Sequence, residues 1–458
     1  MNGDDVLAGL PFLLLIAGAA FVLGLERRLR ADERAWMVLG ASIAGGAAAI
    51  AALLGGGPDG LGGLVRRDGA STFATVAVGT TAAITMLVLA GRAYDAREGA
   101  RVSGLVLLCA SGAVLMVASG DLVVAFVGLV LLTAPLHFLA APRHELRQTD
   151  RRAVLRRVAI APLLFAAGTV LVLVDVGSTR IGALGSTSTL GQAGIALLLA
   201  ALAQTAALAP FHVLAPEIEA TGLAPLVGFV AGVAKIAAFA VLLRAAGTIT
   251  ASGVAEPDWR ASIAVLAALT IGVGTLVALV RTSLRRVVAF ASIGQAGTLS
   301  VALASGVSAG PAIAFGLAIL VALMVGAHAA IAELGGDPHL DDLRGLARRR
   351  PLLAIALAVL MLGLAGLPPT AGFMAKVSLF EAAISAQLAW LVIVGALGTV
   401  VATVWCFRVI FACLGEDERG RGSGPSIATA VAVASAGAVL FIGVFPGPLR
   451  DMVQGARF

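Results

Sequence analysis

The sequence predicts an all-α polytopic membrane protein. Three observations carry the prediction: 59% of the 458 residues are apolar, only 13% are charged, and the mean hydropathy is +1.01. Soluble domains hold roughly half apolar and a quarter charged residues, so an ordinary soluble protein is excluded. A hydrocarbon core about 30 Å thick takes about 20 residues per crossing, which allows at most about twenty helices in this length.

Apolar runs of about 18 to 25 residues, bounded by charge, glycine or proline, occur about fourteen times. They begin near Val6, Trp36, Thr72, Val102, Leu122, Val158, Gly194, Gly222, Ala261, Arg286, Pro311, Leu352, Leu388 and Ile427. The first follows Asn2, Gly3, Asp4 and Asp5, acidic where a secretory signal is basic, and is expected to be a retained helix. Asp121 is expected to cap the fifth segment.

The formal charge of +6 comes with thirty arginines and two lysines. In a soluble protein that balance would suggest nucleic acid, but here the arginines sort by loop and no nucleic-acid partner is expected. With each loop numbered by the segment before it, the odd loops hold 23 of the 30 arginines. Because cytoplasmic loops carry the excess of Lys and Arg, this phase predicts a multi-pass protein of the bacterial plasma membrane with both termini periplasmic. The stretches Arg143 to Arg157 and Arg344 to Arg350 read as solvated loops that set topology. Arg244 and Arg408, a turn or two from segment ends, are expected to snorkel.

No hydrophilic stretch exceeds roughly twenty residues, below the about 50 residues of the smallest usual domain. Nucleotide or cofactor chemistry therefore belongs to other subunits. Cys109, Cys406 and Cys413 lie in apolar runs without ligand spacing, so neither a disulfide nor a metal site is supported. The glycines from Gly55 to Gly63 lack the strand-loop-helix setting of a phosphate site and read as loop or packing glycines.

An ionisable group at mid-membrane costs about 2.5 to 3.5 kcal/mol on insertion scales. Both lysines, Lys235 and Lys376, fall deep inside segments. Lysine can be desolvated toward neutrality whereas arginine stays charged, so a buried lysine can pass protons and a buried arginine cannot. Two segments are also interrupted: Pro210 breaks the seventh, and Pro368 with Pro369 breaks the twelfth. Proline removes a helical hydrogen bond and clashes with the preceding turn. Broken helices at matching positions in two halves point to a transporter with inverted repeats.

His212 follows the first break and suits either proton relay or a bond to freed backbone carbonyls. His137 and His328 read as packing or helix-end residues, Glu217 and Glu219 as loop carboxylates, and Glu381 as an acid near a helix end, solvated or accepting protons.

The run from Leu340 through Arg344 to Pro351, followed by Leu362-Gly-Leu-Ala-Gly-Leu-Pro-Pro-Thr-Ala-Gly-Phe-Met-Ala-Lys376, closely resembles the subunit N family of the proton-translocating NADH:quinone oxidoreductase, respiratory complex I. Further similarity lies at Asp121 to Leu136, Ala209 to His212, Ala234 to Phe239 and Leu284 to Gly297. The resemblance implies fourteen helices in two inverted five-helix repeats with helices 7 and 12 broken. On that plan residues 1–120 hold helices 1 to 4, 121–250 the first antiporter-like half, 251–415 the second, and 416–458 helix 14 and the tail.

In that family protons are thought to pass a glutamate on the fifth helix and lysines on the seventh, eighth and twelfth. The resemblance places the last two at Lys235 and Lys376, while Val130 stands at the glutamate and Thr205, beside Gln204, at the seventh-helix lysine. Losing both members of an ion pair avoids the several kcal/mol that one orphaned charge costs. The implied function is a membrane-arm subunit with a proton path through buried lysines, weakened or rerouted through Gln204, Thr205, His212 and water. No cofactor is expected on this chain; NADH, FMN, iron-sulfur clusters and quinone belong to partner subunits, and the lipid bilayer and the other membrane and peripheral subunits of the complex are its partners. The alternatives are an Mrp-type cation/proton antiporter, a membrane-bound hydrogenase subunit, or a non-pumping structural spacer.

Overall fold

The structure, a computed structural model, describes residues 3–25, 33–91, 96–135, 148–251, 257–416 and 426–454. His137 and the loop arginines Arg27, Arg143 and Arg421 lie outside the described residues. Among the described residues the chain is helical, with isolated bridges and no strand. Its helices are α1 Gly3–Leu25, α2 Glu33–Leu54, α3 Gly69–Ala90, α4 Ala96–Val117, α5 Leu122–Thr133, α6 Gln148–Val176, α7 Thr189–Thr205 and α8 Leu214–Thr221. They continue as α9 Ala224–Ala251, α10 Pro257–Val280, α11 Leu284–Ala304, α12 Gly310–Leu334, α13 Pro351–Ala365, α14 Ala371–Ser385, α15 Ala389–Leu414, α16 Ile427–Val444 and α17 Gly447–Gln454.

Eleven of these, as described, are long and apolar enough to cross a membrane. Shorter apolar helices, α5, α7 and α13, stand at the fifth, seventh and twelfth expected positions. In the last two cases the shortening is the proline break itself: α7 stops before Pro210 and α13 before Pro368 and Pro369, with α8 and α14 resuming beyond. Glu217 and Glu219 thus sit in a helix rather than in the expected loop. The glycines of the 55–63 stretch lie in a loop that ends in the short 3₁₀ turn Leu61–Gly63, with Gly55, Gly62 and Gly63 at positive φ.

The chain forms two compact units, Met1–Ala207 with Val233–Trp259, and Leu208–Gly232 with Arg260–Gln454. In the first unit, Asp121 caps α5 by accepting from the Val123 amide at 2.8 Å. The same helix start is pinned by Leu122 N donating to Thr179 O at 2.8 Å and Ile181 N to Gly120 O at 3.1 Å. In the second unit the start of α11 repeats this device. Ser283 caps it, Leu284 N donates to Pro338 O at 2.8 Å, and Leu340 N to Thr282 O at 2.9 Å. From Thr179 to Pro210 and from Pro338 to Pro369 the chain runs the same 31 residues, so the internal repeat holds its register into both breaks.

Arg244 departs from the expected snorkelling. Its side chain is 2% exposed and forks onto Asp68, at 2.6 and 3.0 Å. It also donates to the Val117 carbonyl at 3.1 and 3.2 Å. Asp68 in turn caps α3 through the Ser71 amide at 2.7 Å, so one guanidinium ties together α3, α4 and α9. A planar fork matches a carboxylate in this way where an ammonium would not. Burial by itself raises the Asp68 carboxyl, but Arg244 and the Ser71 bonds outweigh it and hold the group below its ordinary value. Arg408 does reach a helix end, donating to the Leu279 carbonyl in the last turn of α10.

Candidate functional site

An α-helix leaves its last carbonyls without intrahelical donors, and the break after α13 shows where each of them goes. Gly366 takes the left-handed conformation, φ +76°, which suits glycine because it has no Cβ. That turn brings the Gly366 amide to Leu362 O and Gly363 O, at 2.9 and 3.1 Å, and the Leu367 amide to Leu362 O at 3.0 Å. Two carbonyls remain. Leu364 O accepts from Gln295 Nε2 of α11 at 2.5 Å, and Ala365 O accepts from Lys376 Nζ of α14 at 2.8 Å.

Lys376 is 7% exposed and makes a second bond, to Thr399 Oγ1 of α15 at 2.9 Å. The close approach depends on glycines. A Cβ on Gly366 would lie 2.5 Å from Lys376 Cδ, and one on Gly372 would collide with the Gly363 carbonyl. The ammonium therefore sits at the negative end of a helix dipole, where cations are favoured. Neither of its oxygens is a carboxylate, so no fixed anion holds the proton there. A neutral amine still has two N–H donors for the same two acceptors, so the arrangement tolerates either protonation state.

The first break is built from different side chains. Ala207, three residues before Pro210, takes φ +60°. Beyond it, the Ala209 amide donates to Thr270 Oγ1 of α10 at 3.0 Å. His212 lies in the single 3₁₀ turn Phe211–Val213, half-buried and edge-on to Phe290 of α11, with ring centroids 6.4 Å apart. Arg281 lies over the Phe290 ring at 5.3 Å.

Before the break, Gln204 Nε2 donates to Arg157 O of α6 at 2.8 Å, and Thr205 Oγ1 turns back to Ala201 O at 2.9 Å. Val130 is on the side of α5 that carries the exposed Val123 and Val127. Lys235 is 2% exposed in the middle of α9, held by a neighbouring group.

The predicted site residues thus fall in two places. Lys376, His212 and the three break prolines belong to the second unit; Lys235, Gln204, Thr205 and Val130 belong to the first. His328 is buried and engages Met324 O of its own helix at 2.9 Å, as a packing histidine. Glu381 is an exposed acid 3.7 Å from Arg450 of α17, whose guanidinium also donates to Ser378 at 2.6 Å. Sequence reasoning gave no role to Gln295, Thr399 or Thr270, although Gln295 falls within the similar stretch Leu284 to Gly297. Each is a neutral polar residue inside an apolar run, and no spacing marks it.

Residues 119–402 match the family described as NADH:quinone oxidoreductase/Mrp antiporter, transmembrane. NADH-quinone oxidoreductase subunit N of Geobacter metallireducens is 32% identical over 99% of both chains, and the subunit N of Chloroflexus aggregans is 32% identical over 76% of this chain and 75% of its own. A chain of respiratory complex I from Thermus thermophilus superposes with a TM-score of 0.86 at 29% identity, covering 97% of this chain and all of that one. A chain of the Mrp complex from a Dietzia species shares the fold, with a TM-score of 0.85 over 100% of this chain and 97% of that one, at 20% identity. On these matches the chain belongs to the NADH:quinone oxidoreductase/Mrp antiporter family, with subunit N of NADH-quinone oxidoreductase among its relatives.

Proposed function

We propose that this subunit, in the membrane arm of a proton-translocating NADH:quinone oxidoreductase, passes protons through Lys376 and Lys235, with NADH oxidation, flavin, iron-sulfur and quinone chemistry carried by its partner subunits. The observation that carries the reading is the Lys376 ammonium bonded to the Ala365 carbonyl at 2.8 Å and the Thr399 hydroxyl at 2.9 Å, at an open helix end. Those acceptors serve a charged or a neutral amine alike, so charge can come and go without dismantling the break. His212, in the turn after the first break, and Gln204 with Thr205, before it, are the neutral and titratable groups that replace the missing charged pair. Both termini face the periplasm, following the arginine phase.

By the resemblance in the sequence, Val130 and Thr205 take the places of the family's glutamate and lysine, and on this reading proton transfer in the first half runs weaker than with that pair. The same two residues favour, as a second reading, a spacer that links neighbouring subunits without pumping. Lys376→Met, with assembly and proton-to-electron ratio measured separately, decides between the readings. A lower ratio in an assembled complex supports translocation, and an unchanged ratio supports the spacer. The double variant Val130→Glu with Thr205→Lys tests the weakened half: a raised ratio is expected, and an unchanged ratio refutes impairment.

A further inference from the structure

The proposed function gives Lys376 its chemistry and leaves unexplained why the lysine settles on one carbonyl of a helix end that offers two. We propose that Gln295 is a positioning residue for Lys376. The inference rests on the translocation reading and adds a residue to it.

Of the four terminal carbonyls of α13, Leu362 O and Gly363 O are taken by the backbone amides of Gly366 and Leu367. Leu364 O and Ala365 O are left for side chains from other helices. Gln295 takes the first and Lys376 the second. The two side chains therefore end on adjacent carbonyls of one turn.

A carboxamide does not titrate in the physiological range, so Gln295 holds Leu364 O equally well when Lys376 is charged and when it is neutral. Without that donor, Leu364 O becomes a buried orphan acceptor beside a mobile ammonium. Leaving such a group unsatisfied costs about 1 to 3 kcal/mol, enough to draw Lys376 away from Ala365 O and Thr399. Gln295 also borders a small cavity between α11, α12 and α14, whose other walls are apolar, among them Leu299, Leu320 and Ala375. It is the polar side chain on that wall.

The charged groups on the elements packed around α14 lie toward helix ends. Arg285 and Arg286 open α11, and Glu333, near the end of α12, pairs with Arg350 at 2.6 Å, before α13. Arg408 of α15 bonds Leu279 O, Glu381 is near Arg450, and His328 of α12 bonds its own helix. Gln295 and Thr399 are the side chains placed to tune the amine directly.

The experiment uses the assembled complex in native membranes and reads proton-to-electron ratio against pH. Gln295→Met keeps length and removes the donor; it is expected to lower the ratio at least twofold at neutral pH with assembly intact. Gln295→Glu keeps the shape but, being acceptor-only when ionised, also loses the donor to Leu364 O, and it places a carboxylate beside the ammonium. An opposite charge within about 4 to 6 Å favours the charged amine by about 1 to 3 pH units, so its translocation profile is expected to move to the alkaline side by about one unit or more.

The signed shift reports that position 295 faces the amine, and the lowered ratio of assembled Gln295→Met reports that its donor is needed. Wild-type ratio and pH profile in Gln295→Glu overturn the proposal, even if Gln295→Met fails to assemble. Lys376→Met in the same membranes separates the two levels. If it lowers the ratio while both Gln295 variants behave as wild type, positioning fails and translocation stands; if it leaves the ratio unchanged, the translocation reading itself fails.

Discussion

At the first break Ala207 takes φ +60° three residues before Pro210; at the second, Gly366 takes φ +76° three residues before Pro369. The register continues beyond: seven residues after each of these prolines come Glu217 and Lys376. The backbone plan is thus common to both breaks, while the groups that complete it differ. The second exposes two carbonyls to side chains from α11 and α14, one of them a lysine. The first ties its amide to Thr270 and leaves Thr205 bonded to its own helix. A broken helix therefore does not in itself bring an amine to its open end; the second break does, and the first does not.

The largest contrast expected from this comparison is kinetic. Lys376→Met should slow proton uptake by roughly 100-fold, the low end of what a positioned acid or base contributes, whereas Thr205→Val removes one neutral relay hydroxyl, worth about 1 kcal/mol, and should slow it by about fivefold at most. Proton-uptake assays on proteoliposomes check both.

Stability provides the next contrast, with opposite signs at equivalent positions. Gly366→Ala forces a Cβ against Lys376 Cδ at a positive φ and should cost about 2 to 3 kcal/mol. Ala207→Gly relieves the same strain at the first break and should change stability by at most about 1 kcal/mol, toward greater stability. Denaturation in detergent measures both shifts.

In the first unit, Asp68→Asn removes the carboxylate from Arg244. Breaking a fully buried pair costs about 3 to 5 kcal/mol; with the Asp68 side chain 27% exposed, about 2 kcal/mol is expected. The Asp68 carboxyl titrates below its ordinary value in the folded protein. Its contribution is therefore present at neutral pH, above the unfolded value, and fades as acid passes down through the lowered one. Stability of wild type and variant, measured from pH 7 downward, should converge in acid.

Thr399→Val gives the smallest effect. It removes one of two acceptors from Lys376, about 1 kcal/mol, and should shift the pH profile of translocation without abolishing it.

The membrane fold was legible because hydropathy and proline act locally: each apolar run and each break is written in consecutive residues. Lys376 and Lys235 were legible because they are the two lysines in the chain. What completes the site was not. Thr399 lies 23 residues from Lys376, and Gln295 lies 69 from Leu364, and neither belongs to a spacing that chemistry would single out. Arg244 misled for the same reason. Distance from a helix end suggested snorkelling, whereas its partner Asp68 lies 176 residues away in the chain and is brought to it by packing.

The central claim is that Lys376 must release its proton, not merely hold a positive charge at the end of α13. Lys376→Arg keeps a donor for Ala365 O and a permanent cation, because guanidinium does not give up its proton in a protein. In an assembled complex that still oxidises NADH, the proton-to-electron ratio of this variant is predicted to fall as far as that of Lys376→Met. A ratio equal to wild type would contradict the claim.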